Sequence, residues 1–206
     1  MLELTPDEVL STTRAVRRRL DLERPVEREV LEECLRLAQQ APTASYRQDW
    51  HFVVVTDLTL RGGLAQLWRR GASAYADGLP DDLPGAAGRA IAGVRHLIDH
   101  LHEVPVFVVP CIEGRTDGTG VLAQASRWAS IVPAVWSFML AARARGLGTV
   151  WTTFHLAFEV EAAALLGIPY DEVMQAALIP VAYTIGTDFS PAVRAPLETM
   201  VHWDRW

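Results

Sequence analysis

The sequence predicts an α+β fold, built as one domain over residues 1–206. Helical patterns outnumber strand-like segments and do not alternate regularly with them, which argues against a doubly wound parallel sheet. Half of the residues are hydrophobic, so the chain can fill a core and still leave apolar surface to bury in an oligomer. No internal repeat or linker divides the chain.

The N-terminal part of the chain begins with two predicted helices. A capping box at residues 5–8 begins a helix that is expected to end near Thr13 or Arg14. Apolar residues at helical spacing predict a second helix over residues 27–40. A polar loop opened by a proline follows over residues 41–49.

Strands are expected where β-branched and aromatic residues cluster between turn signals. The predicted strands are Trp50–Thr56, Val104–Val109 closed by Pro110, and Ala176–Ile185, with a short extended segment at Thr149–Thr153.

Four further segments have helical patterns. They are Arg61–Tyr75, Arg89–His102, Val121–Arg145 and Glu159–Leu166. The third is apolar nearly all round, which predicts a central buried helix in which Pro133 starts a new turn or a kink. Gly146-Leu147-Gly148 is expected to stop it. Residues 77–88, rich in Gly, Pro and Asp, predict a long loop or lid.

A basic stretch at Thr12–Leu20 stands out in a chain whose net charge is -6. Four arginines fall within its residues 14–19, which fits either a receptor for a strongly anionic group such as phosphate or a solvated helix end. All 19 basic residues are arginine. The acidic balance argues against nucleic acid as a partner.

The sequence lacks the residues that several classes of functional site require. Cys34 and Cys111 stand in separate apolar runs and suggest neither a disulfide nor a metal quartet. His96 and His100 lack the glutamate of the metalloprotease motif, so no metal site is expected. We find no signal peptide and no apolar run long enough to span a bilayer, and we expect a cytoplasmic protein without membrane contact.

Five blocks, in order and spread over residues 12–198, resemble those of the nitroreductase-like family of FMN-dependent flavoproteins. The blocks are Thr13–Arg17; Ala41–Ser45 with Gln48, Trp50 and Phe52; Pro133–Val135 with Leu140–Arg143 and Gly146–Thr149; Ile179–Tyr183 with Gly186; and Arg194–Glu198. Together they are much more specific than any one of them.

The resemblance implies a three-layer sandwich, in which helices flank a central antiparallel-type sheet. It also implies an intertwined homodimer, with FMN at the interface and the tail 188–206 packed on the partner. Arg14 and Arg194 would bind the FMN phosphate, and Arg17 or Arg18 would lie near the N1/O2 edge of the flavin. Arg19 is expected to be solvated.

The remaining parts of the implied site are a segment beside the ring and a loop from the other subunit. The cofactor-binding residues are Thr13, Arg14, Ala15, Arg17, Arg18, Pro42, Thr43, Ala44, Tyr46, Gln48, Trp151, Thr152, Thr153 and Arg194. No side chain is expected to be catalytic, because the flavin carries the chemistry.

The chain departs from the family pattern at three positions. Ala15 stands where serine is common, and Tyr46 and Asp49 replace the usual Asn and Pro of the second block. Tyr46 could stack on or shade the ring, and Asp49 is expected to add negative charge near the pocket mouth. These changes bear on substrate preference.

The expected function is electron transfer from NAD(P)H through FMN to a nitroaromatic, a quinone or a similar electron-poor acceptor, in ping-pong order. Two alternatives remain open on the same fold. One is another flavin reaction, namely alkene reduction, dehalogenation or flavin breakdown. The other is a non-catalytic protein that sequesters or senses flavin.

Overall fold

A computed structural model describes residues 1–80 and 83–206, and it has helices on both faces of one antiparallel sheet. The strands are β1 (Trp50–Val55), β2 (Val106–Glu113), β3 (Leu147–Thr149), β4 (Val173–Gln175) and β5 (Ile179–Tyr183). The order across the sheet is β1-β2-β5-β3, and β4 pairs with β2 beyond the end of β5.

The described residues form six α-helices around this sheet. They are α1 (Pro6–Thr12), α2 (Arg28–Ala38), α3 (Leu58–Asp77), α4 (Gly85–His100), α5 (Val121–Ala144) and α6 (Glu159–Leu166). Short 3₁₀ turns occur at Ala44–Tyr46, Leu101–Glu103, Phe154–Phe158 and Leu197–Thr199.

The hydrophobic core has two parts, one on each face of the sheet. Helices α2 and α5 cover one face, where Leu31 and Phe138 are buried. Helices α3, α4 and α6 cover the other face, where Leu64, Leu97 and Ala162 are buried. The predicted α+β sandwich of three layers is therefore confirmed.

Strand β2 lies at the centre of the sheet and is longer than expected. Proline usually ends a central strand because it has no N–H to donate. Here Pro110 lies where the neighbour on one side changes from β5 to β4, and its carbonyl accepts a 2.8 Å bond from Ala176 N. The strand therefore continues to Glu113 instead of ending at Val109.

The predicted helix stop at Gly146-Leu147-Gly148 is partly a strand. Gly146 ends the turn after α5 with a φ of 76°, and the next two residues belong to β3. A Cβ on Gly148 would lie within 2.8–3.0 Å of Thr184, Leu20 and Val16 side chains, so the close approach of the N-terminal segment requires glycine here.

Other boundaries also differ from the sequence predictions. Strand β4 was not predicted, and β5 covers only the middle of the predicted Ala176–Ile185 strand. The expected loop 77–88 is shorter, because α3 extends to Asp77 and α4 begins at Gly85; its residues 81 and 82 lie outside the described part of the chain. Helix α5 runs through Pro133 without a break.

A segment near the N-terminus bonds both to β3 and to the chain just after β5. Val16 N donates to Thr149 O over 2.9 Å, and Ile185 N donates to Arg19 O over 2.8 Å. After residue 188 the tail has little regular structure, and residues 193–206 are all exposed.

Candidate functional site

A cleft of about 520 Å³ opens where the N-terminal segment, α4, α5, the chain after β3 and the tail come together. Residues 13–17 reach it because they run beside β3, and Arg194 reaches it from the tail. The lining residues are Thr13, Arg14, Ala15, Arg17, Ala86, Arg89, Ala90, Trp136, Met139, Trp151 and Arg194.

Four guanidinium groups give this cleft its charge. Arg14, Arg17, Arg89 and Arg194 line it, and within residues 1–80 and 83–206 none of them forms an ion pair. No carboxylate is among the described lining residues. Burial lowers the pKa of Arg17. Unpaired cations around one cavity favour a strongly anionic ligand.

Helix α4 makes room for one of these cations. A Cβ on Gly93 would lie 2.8 Å from Cδ of Arg17, so glycine lets the aliphatic stem of this arginine lie against the helix. The stem is held between the N-terminal segment and α4, and the guanidinium lines both the cleft and a smaller recess beside it.

This recess, of about 260 Å³, has mostly aromatic and aliphatic walls. Trp151 and Arg17 line both cavities, and Thr152 and Thr153 line the recess. A polar anion site thus continues into an apolar slot, which suits a ligand that has a charged group at one end and a flat ring system at the other.

Comparison with known proteins identifies the family of this chain. The model of the Nitroreductase family matches residues 10–183. The chain belongs to the nitroreductase family. A curated relative, the 5,6-dimethylbenzimidazole synthase of Rhodospirillum rubrum, is 34% identical over 134 residues, which are 63% of this chain and 60% of the relative. The chain therefore matches less than two thirds of that relative's length.

Solved structures share the nitroreductase fold over nearly the whole chain. Iodotyrosine deiodinase bound to FMN and 3-iodo-L-tyrosine matches with a TM-score of 0.72 and 21% identity, covering 97% of this chain and 99% of that one. A BluB-like flavoprotein of Clostridium difficile 630 gives 0.73 and 15% over 98% and 100%. A variant of the FMN- and NADPH-dependent nitroreductase NfnB from a Sphingopyxis strain gives 0.72 and 18% over 98% and 100%.

Within this nitroreductase fold, Thr152 holds residues 151–153 in place beside the recess. Its N–H and C=O both bond to Leu178, at 3.2 and 2.9 Å. Its hydroxyl accepts from Trp68 Nε1 and donates to Leu178 O, both over 2.8 Å. Thr152 therefore has no backbone group left for a ligand, whereas the amides of Trp151 and Thr153 donate to no backbone carbonyl in the described chain.

Arg19 is not the solvated residue that the sequence suggested. Its Nε donates to Ile185 O at 2.8 Å, and its Nη atoms donate to the Asp188 carbonyl and carboxylate at 3.0 and 2.9 Å. Its guanidinium also lies 4.2 Å from the ring centroid of Phe189, which a second arginine, Arg143, approaches at 4.9 Å. These contacts anchor the start of the tail that carries Arg194.

Arg18 lies apart from the main cleft. It lines a separate cavity of about 180 Å³, which also touches Arg17, Arg89 and Phe189. The structure thus places Arg17, but not Arg18, beside the recess.

The loop 42–48 is not part of this cleft in the same protomer. Pro42, Thr43, Ala44, Tyr46 and Gln48 contribute no lining residue to the cleft or the recess, and Tyr46 is 83% exposed. Ala44 N donates to Ser130 Oγ at 3.0 Å, which ties the loop to α5. A role for these residues in FMN binding requires a partner subunit and stays a prediction.

The same loop is conformationally strained. Ser45, Tyr46 and Gln48 have φ values of 54°, 55° and 52°, which non-glycine residues seldom adopt and which cluster at binding sites. Asp49 does not line the cleft of the same protomer, and its place near the mouth of a partner's cleft stays a prediction. Its carboxylate pairs with Arg47 at 2.9 Å and is only 9% exposed.

Sequence reasoning missed five of the residues that line the cleft, namely Ala86, Arg89, Ala90, Trp136 and Met139. Arg89 was assigned to the start of a helix, and the two α5 residues were assigned to the core. Only the fold shows that the first turns of α4 face α5 across the cleft. In the described chain we find no group of three metal-ligating side chains, and none of its helices is both long and apolar enough for a membrane span.

Proposed function

We propose that this nitroreductase-family protein is an FMN-dependent oxidoreductase that oxidises NAD(P)H and reduces a nitroaromatic, a quinone or a similar electron-poor acceptor by a ping-pong mechanism. The observation that carries the proposal is a cleft lined by four arginines, none with an ion pair in the described chain, that continues into an aromatic recess. FMN, which the iodotyrosine deiodinase and NfnB relatives bind or require, has a phosphate and a flat ring at opposite ends.

The residues present fit this group. Arg14 and Arg194 are the proposed phosphate ligands, because they approach the same cleft from opposite ends of the sequence. Each charge-assisted hydrogen bond is worth about 1.5–3 kcal/mol. Thr13 donates its hydroxyl to Val9 O at 2.6 Å, so this oxygen can only accept from a ligand.

Arg17 is the proposed partner of the N1/O2 edge of the flavin. It is the cation that lines both the anion cleft and the apolar recess. When bound, FMN supplies the redox chemistry, taking electrons from the donor and passing them to the acceptor. A cation held beside N1/O2 stabilises the anionic reduced form and raises the potential. Trp151 walls the slot and restricts the orientation of the ring.

A homodimer is part of the proposal. Exposed small or apolar side chains recur along one face of α5, at Leu122, Ala125, Ala129, Val132 and Trp136. A helix with such a face is suited to bury it against a second copy. The dimer would also bring the strained loop 42–48 of one subunit to the cleft of the other.

The tail offers a second contact between subunits. Its apolar side chains are exposed in the protomer, with Trp203 at 86% and Trp206 at 102%. Strand β1 forms the outer edge of the sheet, since its only neighbour in the described chain is β2. We propose that residues 188–206 pack on the partner and that the assembled protein is cytoplasmic.

The test is a visible spectrum of the purified protein, before and after anaerobic addition of NAD(P)H. We expect a yellow protein with one FMN per protomer that NAD(P)H bleaches and a nitroaromatic or quinone reoxidises. A colourless protein that also ignores added FMN would refute the proposal.

A second reaction is favoured by one observation. The curated relative with 34% identity is named a 5,6-dimethylbenzimidazole synthase. If this chain shares that activity, aerobic incubation with reduced FMN should yield 5,6-dimethylbenzimidazole, which mass spectrometry detects. Acceptor turnover without this product would favour the first reaction.

A further inference from the structure

The arginines around the cleft outnumber what one phosphate group requires. A phosphate monoester carries about two negative charges. Arg14 and Arg194 suffice for it, and Arg17 is placed for the flavin ring. Two cations, Arg18 and Arg89, remain without an ion pair in the parts of the chain that the structure describes.

These two residues share a second cavity. It holds about 180 Å³ and lies next to the main cleft, since Arg17 and Arg89 line both. Arg19 also lines it, but its guanidinium is bound to Asp188 and to the Ile185 carbonyl. Among the described residues, Arg18 is therefore the cation that has no ion pair and lines the small cavity but not the main cleft.

The surroundings of this cavity are positive. No described lining residue is acidic. The charge of Arg18 also reaches His96 on α4, whose pKa it helps to lower, after burial and His100. Asp188 pairs with Arg19 at 2.9 Å, while Asp99 and Glu103 act on the pKa of His96 in the opposite direction to Arg18. A second dianion would thus find cations and, among the described lining residues, no carboxylate.

We propose that this cavity is a second phosphate subsite, which binds the 2′-phosphate of NADPH and makes the protein prefer NADPH over NADH, with Arg18 as the discriminating residue. The inference rests on the proposed function, because it assigns the hydride donor. NADH has no phosphate monoester, so it leaves Arg18 without a partner.

The first test compares the two donors in the FMN-bound protein. We expect kcat/KM for NADPH to exceed that for NADH, and R18A to lower the value for NADPH by roughly tenfold or more, since a charge-assisted bond is lost. The value for NADH should fall much less. The control R36A removes an arginine on α2 that pairs with Glu32 and lines neither cavity, so it should not change the ratio.

A binding measurement gives a second readout. Adenosine 2′,5′-bisphosphate should bind the FMN-bound protein more tightly than 5′-AMP, and R18A should abolish the difference. Equal use of both donors by the wild type, or equal losses for both in R18A, would overturn the subsite. If neither donor bleaches the bound FMN, the proposed hydride step fails, and the subsite falls with it.

Discussion

At the scale of single residues, the structure separates the arginines that the sequence presents as one cluster. Arg14 and Arg17 line the cleft and form no ion pair with the residues that the structure describes. Arg18 lines only the smaller cavity, and Arg19 is bound to Asp188 at the start of the tail. A solvated charge run would show no such division. What distinguishes them is the element that each side chain meets, since adjacent residues of an irregular segment point in different directions.

The first prediction concerns Arg14. Replacing it with alanine removes a proposed charge-assisted contact to the FMN phosphate, which should raise the Kd for FMN by roughly ten- to a hundredfold. Fluorescence titration of the apoprotein with FMN measures it, and riboflavin, which lacks the phosphate, should show little change. Equal losses for FMN and riboflavin would place Arg14 away from the phosphate.

At the scale of secondary-structure elements, the recess depends on a segment that is not itself a strand. Residues 151–153 follow β3 and are held through Thr152, whose hydroxyl and backbone join α3 to the chain before β5. These bonds place Trp151 and Thr153 at the recess. All three residues line the recess, but only Trp151 and Thr153 keep backbone amides that donate to no backbone carbonyl in the described chain.

The second prediction tests this anchor. Thr152→Val keeps the shape but leaves the buried Trp68 indole N–H without an acceptor, which should cost about 1–3 kcal/mol of unfolding free energy. Chemical denaturation measures the loss. The neighbouring Thr153→Val is the matched control, because Thr153 is exposed and its change should stay within about 0.5 kcal/mol.

At the scale of the whole molecule, the exposed stripe on α5 points to self-association. The third prediction is that Val132→Arg weakens the dimer, since a charge would have to be buried in the apolar contact. Val160→Arg on α6 is the control, because Val160 is also exposed, at 57% against 40% for Val132. Light scattering should show more monomer for the first variant only, and equal masses would exclude this face.

The fourth prediction concerns pH and the global stability. His155 is fully buried, and burial lowers its pKa from 6.5 to about 4, while the neighbouring Gln175 side chain opposes this shift. The unfolded chain therefore binds a proton at a higher pH than the folded one. Its contribution to stability is complete above pH 6.5 and should be lost between about pH 6.5 and 4, on the order of 3 kcal/mol.

Urea unfolding at several pH values measures this loss, with His155→Gln as the comparison. The variant lacks the titrating group, so its stability should decline less over the same range. Parallel declines in both proteins would show that other groups cause the acid sensitivity.

Several secondary-structure elements of this molecule could be predicted from local sequence. The capping box at Thr5, the helical spacing in α2 and the apolar run of β2 each depend on neighbours in the chain, and they predicted their elements. The boundaries were less accurate where a tertiary contact decides them. Strand β2 passes Pro110 because its partner changes there, and Gly148 joins β3 because the N-terminal segment packs on it.

The sequence by itself determined the α+β class, the family resemblance and most of the arginines around the cleft, because these follow from composition, periodicity and ordered blocks. Only the tertiary structure decided which arginines lie together, that Arg19 binds the tail and that Arg89 lines the same cleft as Arg14. The physical reason is that a guanidinium acts on whatever lies within a few ångströms of it, and those neighbours come from remote parts of the chain.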